Sequence, residues 1–378
     1  MSDSNHSAKQ LFQLDEDITY LNCANMSPML KAVKQAGLRA LETRANPWKI
    51  AAADWFTNAE TLRGLAASIF QTKENNIALI PSASYGLAAA AKNLQLQAGK
   101  EIIVLDHQFP SNYYVWENMA AQKKLSIITI RKNNSQSLTE TILKKINTNT
   151  GIIAVPNCHW IDGTWINLQQ ISDAAKTVGA YLVLDLSQSA GVLPIDIDRI
   201  QPDFAVTVGY KWLMGPYSLG YLYVSEKWQQ QGEPLEYSWM TRKGSDDFAK
   251  LTDFTTEYRN GARKFDMGEM AQFNLLPMAI AGLQQLLDWK ISSIQTQIKK
   301  LTDQLIVYKS EMGLMESNQT GVGHITSIPL GNINVDELKT RLQHNKVVIS
   351  FRGTSIRVSP HLYNNLADIE KLLSCMQE

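Results

Sequence analysis

A lysine, an aspartate and a glutamine lie at the ends of two short apolar runs in the middle of the chain. The run 181–186 contains Asp185 and is followed by Gln188, and the run 204–209 is followed by Lys211. Apolar runs of this length, closed by polar residues, predict buried strands of an α/β sheet. Because side chains just past the carboxyl ends of parallel strands face one crevice, we expect these three residues to share a pocket.

These residue types suit one kind of chemistry. Burial lowers the pKa of a lysine and so supplies the free amine that forms a Schiff base with a carbonyl. A carboxylate such as Asp185 can hold a pyridine nitrogen protonated, which an electron-sink cofactor requires. Lys211 and Asp185 are therefore the two kinds of side chain that a protein contributes to pyridoxal-phosphate chemistry. Each also has a plainer interpretation, with Asp185 as a helix cap and Lys211 as a surface residue.

A phosphate-binding turn is predicted upstream. The stretch 78–93, ALIPSASYGLAAAAKN, has the pattern of a strand, a turn of small residues and an Ala-rich helix. Small residues let the backbone N–H groups of 82–85 approach an anion, and a helix N-terminus adds its partial positive charge. An ordinary helix cap would give the same pattern, so this stretch supports a phosphate site only when it is taken together with the other candidate stretches.

Two further stretches contain candidate ligand-binding side chains. An aromatic residue in HQFPSNYYVW, 107–116, could stack on a flat heteroaromatic ring. Near the end of the chain, SIRVSPHLYNN contains Arg357, whose planar fork matches a carboxylate; a structural ion pair is the alternative.

Composition bounds the remaining possibilities. A chain of 378 residues, 44% hydrophobic and 19% charged, predicts a globular protein of two domains. Its formal net charge of zero gives no support for nucleic acid or an anionic membrane as a partner. The three cysteines are too few for a disulfide framework or a zinc site. No apolar signal core or bilayer-spanning run is found, so we expect a cytoplasmic protein.

The motifs DLSQ and GYKWLMGP together resemble the core of the class V aminotransferase family, which includes cysteine desulfurases, kynureninases and isopenicillin N epimerase-like proteins. The resemblance covers about 20 to 373. It implies fold type I of the pyridoxal-phosphate enzymes, with a mainly parallel seven-stranded sheet in a large domain and a smaller C-terminal α+β domain. The expected division is an arm at 1–20, a large domain at 21–265 and a small domain at 266–378. It also implies a homodimer with the active site near the subunit interface.

The resemblance assigns roles around the cofactor, pyridoxal 5′-phosphate. It implies that Lys211 carries the Schiff base, that Asp185 pairs with the ring nitrogen and that Gln188 contacts the phenolic oxygen. The remaining implied contacts are to the phosphate (Ala83, Ser84, Tyr210), to the ring face (Phe109, with His107 as a rival), to cofactor or substrate (Asn157), to the substrate α-carboxylate (Arg357) and to the substrate from the N-terminal entry segment (Asn25). Cys158 and His159 follow Asn157 with no assigned role.

Departures from the desulfurase pattern narrow the prediction. Desulfurases typically have serine and histidine where this chain has Val208 and Tyr210. They also carry a nucleophilic cysteine in a loop just before the substrate-binding arginine, and in this chain the corresponding loop is short and contains no cysteine. Cys375 is a poor substitute, so sulfur transfer through a persulfide is disfavoured. Glu269 occupies the position where the family usually has a threonine, in the loop that reaches the cofactor phosphate of the neighbouring subunit. Arg263 or Lys264 could pair with the Glu269 carboxylate.

The sequence thus predicts an enzyme acting on a small α-amino acid through Lys211. Transamination is favoured, with Cβ-lyase or epimerase activity as alternatives. A pyridoxal-phosphate-binding protein without catalysis is the other class considered. A nicotinamide dehydrogenase is disfavoured because no GxGxxG motif follows any predicted strand.

Overall fold

The computed structural model describes residues 6–133, 135–314 and 320–377. Its strands are β1 (Thr19–Tyr20), β2 (Ile77–Ile80), β3 (Glu101–Leu105), β4 (Ser126–Ile130), β5 (Thr150–Pro156), β6 (Tyr181–Asp185), β7 (Phe204–Val208), β8 (Gly220–Val224), β9 (Thr326–Pro329), β10 (Val347–Val348), β11 (Ser350–Arg352) and β12 (Ser355–Val358). Its helices are α1 (His6–Lys9), α2 (Lys31–Arg44), α3 (Asp54–Phe70), α4 (Ala83–Asn93), α5 (Ser111–Lys123), α6 (Leu138–Leu143), α7 (Leu168–Val178), α8 (Ile197–Ile200), α9 (Glu226–Gln231), α10 (Leu275–Trp289), α11 (Ile291–Glu311), α12 (Val335–His344) and α13 (Leu366–Gln377).

A seven-stranded sheet forms the centre of the fold, in the order β2-β8-β7-β6-β5-β3-β4. Only β8 runs antiparallel to its two neighbours, and the other pairings are parallel. The predicted fold class is confirmed. The carboxyl ends of β2, β3, β5, β6 and β7 therefore meet at one edge, where ligands bind in open α/β sheets.

Helices cover both faces of this sheet, which explains the apolar runs. All seven residues of β5 and all five of β7 are buried, as expected for strands covered on both faces. One face packs against α4 and α5 through Leu87 and Trp116, among others. The other packs against α2, α3, α7 and α10. The sheet is therefore a rigid platform for the loops at its carboxyl edge.

The C-terminal unit is an antiparallel sheet of order β11-β12-β9 with α12 and α13. It is tied to the N-terminal segment, because β1 pairs in parallel with β10. Phe12 is also buried, with its ring 4.9 Å from that of Tyr363. Helix α10 packs against α2 and α3 of the large unit. The division at 20/21 and 265/266 stays a prediction.

No helix in the described ranges is both long and apolar enough to span a lipid bilayer. A cytoplasmic location stays a prediction from the sequence.

Two helical glycines allow a matched stability test. A Cβ on Gly86 in α4 would lie 2.6 Å from Val206 Cγ1 of β7, whereas one on Gly64 in α3 would meet nothing closer than 3.9 Å. We expect Gly86→Ala to lower the free energy of unfolding by about 1–3 kcal/mol through overpacking. Gly64→Ala should raise it by about 0.5–1 kcal/mol, because alanine loses less backbone entropy. Urea denaturation measures both, and a shift of the same sign in both variants would contradict this packing.

Candidate active site

A cleft of about 450 Å³, including its open mouth, lies at the carboxyl edge of β5, β6 and β7. Its lining combines six residues proposed from the sequence with six that were not assigned there. The former are Ala83, Phe109, Asp185, Gln188, Tyr210 and Lys211, and the latter are Gln108, Pro156, Cys158, Trp160, Ser187 and Val208.

Lys211 lies two residues beyond the Gly209 turn after β7 and is 6% exposed, so its interpretation as a surface residue is wrong. Burial lowers its pKa from 10.5 to about 8, although the nearby Asp185 carboxylate raises it. Lys211 Nζ lies 5.2 Å from the centroid of the Phe109 ring and 5.8 Å from that of Tyr210. A buried amine with a lowered pKa is the form that attacks an aldehyde.

Asp185 is the last residue of β6 and is 7% exposed. Its Oδ1 accepts a hydrogen bond from the backbone N–H of Ser187 at 3.0 Å, which orients the carboxylate at the strand end. It lines the same cleft as Lys211. A buried carboxylate here fits the protonated nitrogen of a pyridine ring.

The Gln188 side chain is held from both ends. Its Nε2 donates to Ala24 O at 3.0 Å, and its Oε1 accepts from Trp212 Nε1 at 2.8 Å. His324 Nε2 lies 2.6 Å from the Gln188 carbonyl oxygen. A primary amide has two N–H groups, so one remains for an acceptor in the cleft, such as a phenolic oxygen. Sequence reasoning did not find Trp212 or His324 as supports.

Arg357 is 1% exposed on β12 and borders this region through Trp160. Its Nη1 donates to Trp160 O at 2.9 Å, while its Nε and Nη2 atoms have no hydrogen-bond partner. Burial lowers the pKa of Arg357 to about 9. Within the described chain Arg357 forms no salt bridge, so the structural ion pair that was the alternative is not found. Two free donors on a buried guanidinium suit a carboxylate.

The predicted phosphate turn begins α4. Ser82 caps the helix, with its Oγ accepting from Tyr85 N–H at 3.1 Å. The first N–H groups of a helix have no intrahelical acceptor, and here those of Ala83 and Ser84 stand at the carboxyl edge. Ala83 lines the cleft, whereas the Ser84 side chain is exposed. Any contact of Ser84 with the phosphate would therefore use its backbone N–H.

Several other candidates lie outside the cleft lining. Asn157 is buried and donates to Ile166 O at 3.1 Å. Asn25 is exposed, and its segment reaches the site through Ala24 O instead. Between the two rivals for the ring face, Phe109 lines the cleft, whereas the His107 side chain is 78% exposed.

His159 and Glu269 also do not line the cleft. His159 is buried, with Nε2 3.3 Å from Asp106 O and Nδ1 3.5 Å from Asp162 Oδ1. Glu269 is exposed. The expected pairing of Glu269 with Arg263 or Lys264 is wrong, because Arg263 binds Glu60 at 2.5 Å and Lys264 donates to Gln230 O at 3.4 Å.

Two buried histidines behind Gln188 predict acid sensitivity. Burial lowers the pKa of His324 to about 4 and that of His361 to about 3. Because unfolding restores a pKa near 6.5, the stability they contribute is complete above pH 6.5 and is lost as the pH falls toward 4. Each should lower the free energy of unfolding by up to about 1.4 kcal/mol per pH unit in this window. Urea denaturation between pH 8 and 4 measures the slope.

His361→Phe is the informative variant, because neither ring nitrogen of His361 has a hydrogen-bond partner. It should remove one histidine's share of the slope, about 1.4 kcal/mol per pH unit. His344→Asn, at an exposed position, is the control and should leave the slope unchanged. An unaltered slope in His361→Phe would show that other groups cause the acid effect.

Comparison with known proteins identifies the family. The family model described as Aminotransferase class-V matches residues 20–372. The chain belongs to the class V aminotransferases. The resemblance drawn from DLSQ and GYKWLMGP is confirmed, and pyridoxal 5′-phosphate is the cofactor of this enzyme.

Relatives within the family have different activities. An uncharacterized aminotransferase, YcbU, of Bacillus subtilis is 25% identical over 359 residues, which span 94% of this chain and 93% of that protein. A probable cysteine desulfurase of Mycoplasma pneumoniae is 26% identical over 337 residues, 83% of this chain and 79% of that protein. A kynureninase of Deinococcus radiodurans is 25% identical over 258 residues, 68% of this chain and 60% of that protein.

A solved structure agrees in fold. The apo structure of a cysteine desulfurase from Thermococcus onnurineus NA1 superimposes with a TM-score of 0.85 at 20% identity, covering 100% of this chain and 98% of that one. Such a likeness supports the fold of this class V enzyme and leaves its reaction to be inferred from the site.

Proposed function

We propose that this enzyme acts on an α-amino acid, with Lys211 as its one catalytic base and Arg357 as the group that binds the substrate α-carboxylate. The observation that carries this proposal is the pairing of a buried amine with a buried guanidinium that has two free donors. A protein that only stored the cofactor would need neither a proton carrier nor an unpaired carboxylate-binding group. Catalysis is therefore favoured over cofactor binding alone.

The cofactor would be held by residues at the carboxyl edge of the sheet. Asp185 would bind the pyridine nitrogen, Gln188 would donate to the phenolic oxygen, and Phe109 would cover one face of the ring. The backbone N–H groups of Ala83 and Ser84, with the Tyr210 hydroxyl, would hold the phosphate. When bound, the cofactor supplies a conjugated ring that accepts the electrons left on the substrate α-carbon. Lys211 would hold the cofactor through its aldehyde and would carry the α-proton of the substrate.

The cleft favours reactions that use one base. Burial raises the pKa of both the Cys158 thiol and the Tyr210 hydroxyl. Both groups therefore stay protonated near neutral pH, so neither is suited to remove the α-proton, and among the described residues lining the cleft we assign that step to Lys211. Epimerisation would also need a proton donor on the opposite face of the α-carbon, and we place it last.

Two one-base outcomes remain. Elimination of a substituent from Cβ needs only removal of the α-proton and a good leaving group. Similarity to a probable cysteine desulfurase and to a kynureninase supports a lyase reaction at Cβ, the class to which elimination belongs. Transamination would need Lys211 to pass the α-proton on rather than return it to the α-carbon, and the similarity to an uncharacterized aminotransferase supports it. We place elimination first and transamination, the outcome favoured from the sequence, second.

Persulfide transfer by a cysteine nucleophile is not proposed. All three cysteines, Cys23, Cys158 and Cys375, are buried. Burial raises the pKa of the Cys23 and Cys158 thiols, and a reactive cysteine needs the opposite shift.

A product screen tests the reaction type. The purified holoenzyme is incubated with single L-amino acids, with and without a keto acid, and the products are identified by mass spectrometry. Elimination yields ammonia and a keto acid without an amino acceptor, whereas transamination requires the acceptor and yields its amino acid. An inverted α-carbon as the main product would contradict the one-base proposal.

We also propose that the enzyme is a homodimer with the active site near the subunit interface. The segment 233–261 supports this, because Trp239 and Phe248, which pack around Trp55, are themselves 37% and 38% exposed, and Phe254 in the same segment is 97% exposed. Exposed apolar groups beside an aromatic cluster are typical of association surfaces. Light scattering on the purified protein should give twice the mass of one chain, and the mass of a single chain would contradict the proposal.

A further inference from the structure

We propose that the substrate carries a second acidic group on its side chain, and that Arg352 binds this group while Arg357 binds the α-carboxylate. The inference rests on the proposed function and names the substrate class that this function would take. It follows from three features of the hairpin β11–β12.

The first feature is the register of the hairpin. Ser350 is paired with Arg357, and Arg352 is paired with Ser355. Because side chains alternate between the faces of a strand, Arg352 and Arg357 lie on the same face as diagonal neighbours. Long side chains at such positions reach the same region of space.

The second feature is the aromatic wall that both arginines share. The Arg352 and Arg357 guanidinium carbons lie 5.5 Å and 6.0 Å from the centroid of the Trp160 ring. Trp160 lines the cleft, and its ring centroid is 5.4 Å from that of Phe109. The two cations therefore stand along one wall that continues to the ring-stacking residue and Lys211.

The third feature is the lack of compensating charge. In the described ranges of the chain, neither arginine forms a salt bridge with a carboxylate. Buried donors remain without partners on both, at Arg352 Nε and at Arg357 Nε and Nη2. The single hydrogen bonds they do make go to carbonyl oxygens, from Arg352 to Phe351 O at 2.8 Å and from Arg357 to Trp160 O at 2.9 Å.

Electrostatics support the same arrangement. Burial, and then the positive charge of Arg352, lower the pKa of Arg357, while burial lowers the pKa of Arg352. The positive charges of both arginines also help to lower the pKa of Lys211, so the three cationic side chains are close enough to affect one another electrostatically. One α-carboxylate leaves part of this positive charge uncompensated. A substrate with two acidic groups compensates both guanidiniums, each by charge-assisted hydrogen bonds.

The plainer role for Arg352 is packing against Trp160 by a cation–π contact. Such a role would hold the tryptophan in place and would affect every amino acid alike. An acid-binding role instead distinguishes an acidic side chain from its amide, which has nearly the same shape. The comparison of acid with amide therefore separates the two roles.

The experiment is a binding titration of the holoenzyme followed by the absorbance of the bound cofactor. L-aspartate is compared with L-asparagine, and L-glutamate with L-glutamine, in the wild type, Arg352→Gln and Arg352→Lys. At least one acid should bind about 10-fold to 100-fold more tightly than its amide, as expected for hydrogen bonds to a charged partner. Arg352→Gln should remove that preference and change the affinity for the amide by less than about 2-fold. Arg352→Lys should keep part of it, because it keeps the charge without the planar fork.

Arg341→Gln is the matched control, because Arg341 lies in the same C-terminal unit and donates to Cys375 O at 2.8 Å. It should leave every affinity unchanged. Equal binding of acid and amide by the wild type would overturn the inference, as would an equal loss of both in Arg352→Gln. Neither result touches the proposed function, which fails separately if borohydride fixes no cofactor to Lys211.

Discussion

Lys211→Ala should abolish covalent attachment of the cofactor and lower turnover of any amino-acid substrate by about 10²–10⁴-fold through loss of the general base alone. The lysine is the one amine in the cleft lining of the described chain, and burial lowers its pKa to about 8. Borohydride reduction followed by peptide mass spectrometry should find the added cofactor mass on residue 211 of the wild type only. Lys211→Arg is the control, because a guanidinium keeps the charge but is not deprotonated in proteins. Normal turnover in either variant would remove Lys211 from the mechanism.

The pH dependence of cofactor attachment tests the same residue without replacing it. The free amine reacts, so the attachment rate to apoenzyme should rise about tenfold per pH unit below the pKa and level off above it. Because burial lowers the pKa of Lys211 to about 8, the rate should level off near pH 8. A rate that keeps rising to pH 10 would indicate an amine exposed to solvent.

The central strands could be predicted from the sequence because they are buried on both faces. Residues of β6 and β7 form mostly apolar runs, with Thr207 as the polar exception within β7; Asp185 ends β6, and Lys211 follows three residues after β7. Adjacent parallel strands bring such residues together without any knowledge of the remaining packing. Gln188 follows from the same rule, since it lies three residues past Asp185 in the same loop.

Alternation along the chain explains what was missed after β5. Pro156, Cys158 and Trp160 line the cleft, whereas Asn157 and His159, the polar candidates between them, do not. Successive side chains of an extended segment point to opposite sides, so the residues facing the cleft are every second one. The polar side chain of Asn157 made it the predicted contact, whereas the position of Trp160 in the alternation places that residue in the cleft lining. Counting from the strand end would have found the tryptophan.

The supports of Gln188 could not be predicted, because they depend on packing between distant parts of the chain. His324 contacts a residue 136 positions away, and Ala24 one 164 positions away. Neither contact has a local sequence pattern. The sequence could predict Arg357 as a carboxylate-binding residue, but only the structure shows that two of its hydrogen-bond donors are free.

Arg357→Gln should weaken binding of an amino acid by about 2–5 kcal/mol, which is about 30-fold to 4,000-fold. The effect is large because Arg357 is 1% exposed and forms no salt bridge within the described chain, so a carboxylate placed there would exchange water for a buried charge-assisted pair. Binding of L-alanine and of ethylamine, which lacks the carboxylate, is measured by the absorbance of the bound cofactor. L-alanine should lose affinity by the stated factor, whereas ethylamine should bind as it does to the wild type.

Arg357→Lys separates charge from geometry at this position. A lysine keeps the positive charge but lacks the planar fork that binds two carboxylate oxygens at once, so its loss of affinity should fall between those of the wild type and Arg357→Gln. Arg357 also donates to Trp160 O, and its removal could displace that wall of the cleft. A displaced wall would weaken ethylamine and L-alanine equally. Selective loss of the carboxylate-bearing ligand is therefore the result that assigns the contact to Arg357 itself, and an equal loss would reduce Arg357 to a support for Trp160.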